Sequence, residues 1–125
     1  MQQWRWSVFY ADLDPAVGSE QAGRRPVVVV SEEDYNQIMP LVTIVPVTSR
    51  KRGRRIHPDE VLVPKTTAGL PQESIILVHQ IRTISKRRLV EKVGVLGDVG
   101  YRGRVVEALR THLDLGQPVR LEGPT

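Results

Sequence analysis

The sequence predicts a small, largely antiparallel β-barrel with one C-terminal helix. Residues 4–96 contain several short segments of β-branched or alternating apolar residues, divided by turns rich in glycine and proline, with no regular alternation of strands and long helices. After Asp98, apolar residues follow the spacing of one helical face, namely Val105, Val106, Leu109 and Leu113. A chain of 125 residues is long enough for one core and too short for two. We therefore expect a single domain over 1–116 and a flexible C-terminal tail over 117–125.

The strands are predicted from short apolar segments. They lie at residues 4–12, 26–31, 41–48, 60–64, 74–81 and 91–96. The first of these alternates, as a strand with one buried face does, and the side chains on one side are Trp4, Trp6, Val8 and Tyr10. The second strand is apolar without interruption, which predicts that both of its faces are covered.

Local signals set the expected ends of the other elements. The acidic residues that follow Ser31 predict a short helix between the second and third strands. Pro46 lacks a backbone donor, so part of the third strand is expected at an edge or a bulge. Asp98 is the expected N-cap of the C-terminal helix, and Gly116 is its expected end.

Composition narrows the classes of function. The net charge of +4 favours acidic partners such as nucleic acid, an anionic protein or a membrane surface. The chain has no cysteine, which excludes disulfides, thiolate nucleophiles and cysteine-zinc sites. Its three histidines match no metal motif, so we expect neither a metal nor a cofactor. The apolar runs are too short to cross a bilayer and the N-terminus lacks a secretion signal, which predicts a cytoplasmic protein without membrane association.

Two clusters of basic residues suggest binding to a polyanion. The first comprises Arg50, Lys51, Arg52, Arg54 and Arg55, and the second comprises Arg82, Lys86, Arg87, Arg88 and Lys92. A single run of charge is usually a solvated loop, but two runs on one small barrel favour phosphate binding with release of counterions. Aromatic residues make up only 5% of the chain, so a platform for stacking bases is not evident.

Arg25 and Thr48 are the residues best suited to act on a phosphodiester. A short antiparallel return between the second and third strands would bring both to one end of the sheet. RNA cleavage without a metal needs attack by the 2′-hydroxyl and a cation that stabilises the charge at the phosphate. Arginine supplies that cation together with a fork of donors. A threonine hydroxyl donates to the same oxygens or orients the nucleophile. Glu20 or His57 is then a candidate proton acceptor. The alternative is that Arg25 is an ordinary loop residue and Thr48 simply a good strand former.

Four ordered motifs resemble the MazF/PemK/Kid toxins of bacterial toxin–antitoxin systems. They are the segments at residues 10–31, Val45-Pro-Val-Thr-Ser49, Gly69-Leu-Pro-Gln-Glu-Ser74 and Gln80-Ile-Arg-Thr83, followed by similarity up to Gly116. The resemblance implies an SH3-like barrel of the CcdB/PemK type that forms a homodimer. It also implies a metal-independent endoribonuclease that cuts single-stranded RNA, chiefly mRNA, and leaves a 2′,3′-cyclic phosphate. The implied protein partner is an antitoxin with an acidic, partly disordered C-terminal segment.

The same resemblance implies roles for individual residues. Arg25 and Thr48 match the catalytic pair. RNA-binding positions match Ser19, Glu20, Gln21 and Gln80, although a buried amide that supports the barrel is an equal alternative for Gln80. Possible loop contacts with RNA are Arg50, Lys51, Arg52 and His57. Arg82 is expected to brace the fold, and strand alternation predicts that it shares a face with Gln80 and not with His79.

The chain departs from the family pattern in two places. His79 stands where relatives commonly have an acidic or another polar residue, and Trp6-Ser7 replaces the usual opening of the first strand. Two other functions stay open at this point. One is a barrel toxin that binds a protein target such as DNA gyrase, which should lack the Arg25–Thr48 pair. The other is a non-catalytic RNA-binding regulator.

Overall fold

The computed structural model describes residues 2–116, so the tail expected at 117–125 lies outside the described residues. The strands are β1 Ser7–Asp12, β2 Arg24–Val29, β3 Leu41–Ser49, β4 Val61–Val63, β5 Ser74–Ile76, β6 Arg82–Ser85 and β7 Leu89–Val95. The helices are α1 Glu33–Ile38 and α2 Val99–Leu113. The expected mainly β fold, with a short helix after the second strand and a C-terminal helix, is confirmed.

The sheet is antiparallel and bends around β3, its longest strand. The strand order is β4-β5-β3-β2-β1-β7, and β6 also pairs with β3. One edge of β3 pairs with β2, while the other pairs first with β6 and then with β5. Pro46 falls in the gap between β6 and β5, as a residue without a backbone donor is expected to. Because β4 and β7 are the ends of this order, the sheet is not closed, and the word barrel describes it only loosely.

Both faces of the sheet are buried, as the apolar second strand predicted. Val28 and Val30 belong to one core cluster, whereas Val27 and Val29 belong to another. Helix α2 covers the first cluster with apolar side chains that include Val105. Alternate residues of β2 therefore pack into separate cores. This packing fixes the position of the strand, and with it the position of the residues at its start.

The first strand begins later than predicted. Trp6 adopts a left-handed backbone with φ 68°, so the extended strand starts only at Ser7. The Trp6 side chain is nevertheless buried, with the guanidinium of Arg5 5.2 Å and that of Arg102 5.6 Å from its ring centroid. Packing of this large ring into the core overrides the simple alternation that the sequence suggested.

Two other expected boundaries are also corrected. The strand predicted at 74–81 ends at Ile76 and is followed by a 3₁₀ turn, Val78–Gln80, so strand alternation does not apply to His79, Gln80 and Arg82. The basic segment after this turn forms an unpredicted strand, β6. Asp98 caps α2 as expected, but the helix ends at Asp114, which is left-handed with φ 55°, and not at Gly116.

Candidate active site

The β2–β3 ladder brings Arg25 and Thr48 together. The ladder ends where Val27 faces Pro46, and beyond that point β2 holds Arg25 at its start while β3 continues to Thr48. Both side chains line one cleft of about 190 Å³. The expectation that they lie at the same end of the sheet is therefore met.

The guanidinium of Arg25 has donors to spare. Its Nε donates to the carbonyl of Ala22 at 3.1 Å, and within residues 2–116 neither terminal nitrogen takes part in a hydrogen bond or ion pair. Arg24 also lines the cleft, but its Nη2 lies 3.6 Å from Glu91 Oε2 and its guanidinium lies 5.8 Å from the Tyr10 ring centroid. Both terminal nitrogens of Arg25 are therefore available to a phosphate, whereas Arg24 shares its charge with Glu91.

Sequence reasoning missed several side chains of this cleft. Among its lining residues are Tyr10, Ser49 and Gln72, none of which was predicted as a site residue. A signal existed for all three, since each lies in a segment on which the family resemblance rests, and for Gln72 this is Gly69–Ser74. The β3–β5 ladder explains its placement, because Ser49 faces Ser74 and so brings the end of this segment beside the end of β3.

A larger open groove of about 540 Å³ is lined by Pro46, the residue next to Val47 of the cleft. It is lined by all four predicted RNA-binding residues and by His79 and Arg82, together with Leu13, Pro46 and Ile81. The residues of the β1–β2 loop reach this groove because Gln80 holds them there. Its amide oxygen accepts from the Gln21 N–H at 2.9 Å, and its amide nitrogen donates to the Ser19 carbonyl at 3.5 Å. Gln80 is therefore a brace for the loop as well as part of the groove wall.

The other end of the β1–β2 loop is fixed by polar contacts. Arg88 donates to the carbonyls of Asp12 and Asp14, and the Asp14 carboxylate accepts from the Gly23 N–H at 2.9 Å. Arg88 comes from the second basic cluster, so at least this member of the cluster holds structure. Because hydrogen bonds hold both of its ends, the loop that precedes Arg25 has a preformed surface.

The basic loop after β3 is only partly available to a ligand. Arg50 donates twice to the Arg54 carbonyl, at 3.3 and 3.2 Å, and its Nη1 lies 3.5 Å from Glu73 Oε1. Lys51 and Arg52 are exposed. His57 is also exposed, but it lines neither the cleft nor the groove.

Neither candidate proton acceptor lines the cleft that holds Arg25 and Thr48. Glu20 lines the groove but not the cleft, and its carboxylate accepts from the Val17 N–H at 3.2 Å. His57 lies in the loop after β3, outside both.

Comparison with known families assigns the chain. Residues 4–113 match the family of PemK-like, MazF-like toxins of type II toxin–antitoxin systems. The chain belongs to this family. The resemblance that its motifs indicated is thereby confirmed.

The toxin is also similar to characterised relatives. It is 38% identical over 111 residues to endoribonuclease EndoA of Bacillus subtilis, which covers 89% of this chain and 94% of that protein. It is 42% identical over 94 residues to endoribonuclease MazF of Staphylococcus saprophyticus, which covers 75% and 78%. A chain of the MazE–MazF complex from Deinococcus radiodurans matches its fold with a TM-score of 0.65 at 25% identity, covering 87% of this chain and 92% of that one.

A buried carboxylate, Glu60, connects the basic loop of the toxin to its groove. It accepts from Arg54 at 2.9 and 2.7 Å and from the His57 N–H at 3.0 Å, and it lies 2.9 Å from His79 Nε2. Burial by itself raises the pKa of this carboxyl, but the hydrogen bonds from Arg54, the His57 backbone and His79 outweigh burial and lower the pKa to about 2. Glu60 is therefore ionised at neutral pH.

The described residues contain neither a metal-binding cluster nor a membrane-spanning helix. Within residues 2–116, no group of three or more histidine, aspartate and glutamate side chains is arranged to hold a metal ion. No helix in that range combines the length and the apolar character that a membrane span requires.

Proposed function

We propose that this toxin is an endoribonuclease that cuts single-stranded RNA, chiefly mRNA, at the Arg25–Thr48 cleft without a metal ion. The observation that carries the proposal is an arginine with two unengaged terminal nitrogens in the same cleft as a strand-end threonine. Membership of the toxin family and similarity to two proteins named as endoribonucleases support the same reaction class.

The cleft supplies the cation and the hydroxyl that a ribonuclease without a metal needs. The 2′-hydroxyl oxygen bonds to phosphorus, its proton passes to a base, and the bond from phosphorus to the 5′-oxygen breaks as that oxygen takes up a proton. The products are a 2′,3′-cyclic phosphate and a 5′-hydroxyl. Arg25 stabilises the charge that builds up on the phosphoryl oxygens, since its donors are already oriented and it stays ionised. Thr48 donates its hydroxyl to the same oxygens or orients the 2′-hydroxyl.

The groove suits a single RNA strand that extends from the cleft. Ser19, Glu20, Gln21 and Gln80 line it, and we assign them to RNA binding. Lys51 and Arg52 are exposed on the adjoining basic loop and add attraction for phosphates, whereas Arg50 is turned toward its own loop. His57 has no place in the cleft or groove, so any contact it makes would be with RNA beyond them.

The proposal includes the partners and the location of the toxin. A cognate antitoxin would neutralise it by laying an acidic, partly disordered segment along the basic groove. The structural match to a chain of a MazE–MazF complex supports a protein partner of this kind. We also propose that the toxin is a homodimer and acts in the cytoplasm, where mRNA is translated.

One assay tests the reaction. Purified toxin is incubated with a mixed-sequence single-stranded RNA and excess chelator, and the cut ends are sequenced and tested for a cyclic phosphate. We expect cutting at short preferred sequences, and its loss in both Arg25→Ala and Thr48→Ala. Binding without cleavage by the wild-type protein would instead support a non-catalytic regulator. Absence of both would favour a toxin that acts on a protein target.

A further inference from the structure

His79 occupies the groove at a position where the family resemblance predicts an acidic or other polar residue. The 3₁₀ turn Val78–Gln80 places it beside Gln80, and both side chains line the same groove as Gln21. The side chain of His79 is 29% exposed, so the ring is accessible to a ligand in the groove. The proposed reaction has so far given this imidazole no role.

The orientation of the His79 ring is set by Glu60. The Glu60 side chain is only 1% exposed and approaches His79 Nε2 at 2.9 Å. An ionised carboxylate only accepts hydrogen bonds, so Nε2 carries the proton and donates. In the neutral ring, Nδ1 is then the acceptor, and within residues 2–116 it makes no hydrogen bond to the protein.

A second imidazole stands behind the first. The ring centroid of His112, on α2, lies 6.3 Å from that of His79. His112 is itself positioned by Asp59, with Nδ1 3.3 Å from Oδ2. The rings are not hydrogen-bonded to each other, so it is the carboxylate at Nε2 that holds His79 in the fixed geometry needed to read a ligand.

We propose that His79 is a specificity-determining residue of the RNA groove and that Glu60 is its positioning residue. This inference rests on the proposed function. His79 Nδ1 accepts a hydrogen bond from an amino or imino group of one RNA base, and so favours certain bases at one position near the cut. Bases of single-stranded RNA expose these edges, because they are not paired with a second strand.

A purely structural role fits the contacts less well. Glu60 already accepts two bonds from Arg54 and one from the His57 backbone, so it is paired without His79. A histidine that served only to satisfy Glu60 would gain nothing from exposure in the groove, whereas a histidine that reads a base must be accessible there.

The test compares cleavage preferences across variants of the whole chain. A random single-stranded RNA pool is cut by the wild type, His79→Ala, His79→Lys, Glu60→Gln and the control His112→Ala, and the cut sites are sequenced. The lysine at position 79 retains a donor for Glu60 but has no acceptor. We expect both His79 variants to lose about three- to tenfold of the base preference at one and the same position, which is the scale of one hydrogen bond. Glu60→Gln should relax that position too, and His112→Ala should retain the wild-type pattern.

The outcomes decide between the roles. An unchanged pattern in both His79 variants would overturn the inference, as would full recovery of the pattern in His79→Lys, which would reveal a structural role. If Glu60→Gln fails to fold, the two His79 variants still decide.

A wild type that does not cut RNA would refute the proposed function separately. In that case, RNA retained by each protein from the same pool is sequenced. A base preference that is lost in the His79 variants would sustain the inference, and no preference in the wild type would refute it.

Discussion

Replacing Glu60 by glutamine probes the most connected buried charge of the toxin. The side chain keeps nearly the same volume, but the carboxylate that pairs with Arg54 and His79 becomes a neutral amide. In addition, the amide nitrogen of the glutamine is a donor, and it points at Arg54 or His79, which also donate. The partly buried guanidinium and imidazole then lack their full partner, so we expect a clear loss of stability.

The magnitude follows from the pKa. The ordinary pKa of a glutamate carboxyl is 4.5, and the pKa of Glu60 in the folded chain is about 2. This difference of about 2.5 corresponds to roughly 3 kcal/mol of stabilisation. Because the folded-state pKa is the lower one, this contribution is complete above pH 4.5 and disappears as the pH falls from 4.5 toward 2.

Urea denaturation at a series of pH values measures this contribution. At pH 7 the free energy of unfolding should be about 3 kcal/mol smaller in Glu60→Gln than in the wild type, and the gap should narrow as the pH falls below 4.5. The matched control is Glu73→Gln, which breaks a partly exposed pair with Arg50 and should cost less than about 1 kcal/mol. Equal losses in the two variants, or a gap that stays constant from pH 7 to pH 3, would refute the reasoning.

Three further predictions follow from other contacts. Arg25→Lys should cut RNA at least about a hundredfold more slowly, because one ammonium does not replace a fork of donors. The cleavage rate of Arg24→Ala should fall by less than about tenfold, and both are measured as initial rates. Gln80→Ala should destabilise the β1–β2 loop locally by about 1 kcal/mol, seen as faster amide exchange in residues 19–23 without a matching change in the core. Gly94→Ala should lower the free energy of unfolding by about 2 kcal/mol or more in urea denaturation, since its Cβ would overlap a facing backbone carbonyl. In the control Gly97→Ala the added Cβ meets no atom within 4 Å, so the free energy of unfolding should hardly change.

The strands that the sequence predicted correctly are those whose pattern is local. Val27–Val30 is apolar throughout, and the structure divides it between two cores. The start of β1 was wrong because burial of the Trp6 ring, with a left-handed backbone, depends on α2 and on distant residues. Strand β6 was missed because its residues are polar and basic, and only pairing with β3 makes them a strand.

The same distinction between local pattern and tertiary contact applies to the candidate site. Arg25 and Thr48 were singled out from residue type and position in two short motifs, and their placement in one cleft agrees with that reasoning. The candidate acceptors Glu20 and His57 were chosen for chemistry alone, and neither lines that cleft. Distance between side chains on different loops is not encoded in any local pattern, so sequence reasoning had no means to exclude them.

By itself, the sequence determined the family, the mainly β class and the pair of residues on which the proposed chemistry rests. These depend on residue type, short-range pattern and motif order, all of which are written along the chain. The three-dimensional fold was needed to show that the terminal nitrogens of Arg25 are unengaged, how Gln80 holds the loop, and that Glu60 joins the basic loop to His79. Those contacts join residues brought together by β-pairing and core packing, and their strength depends on burial that a linear sequence does not specify.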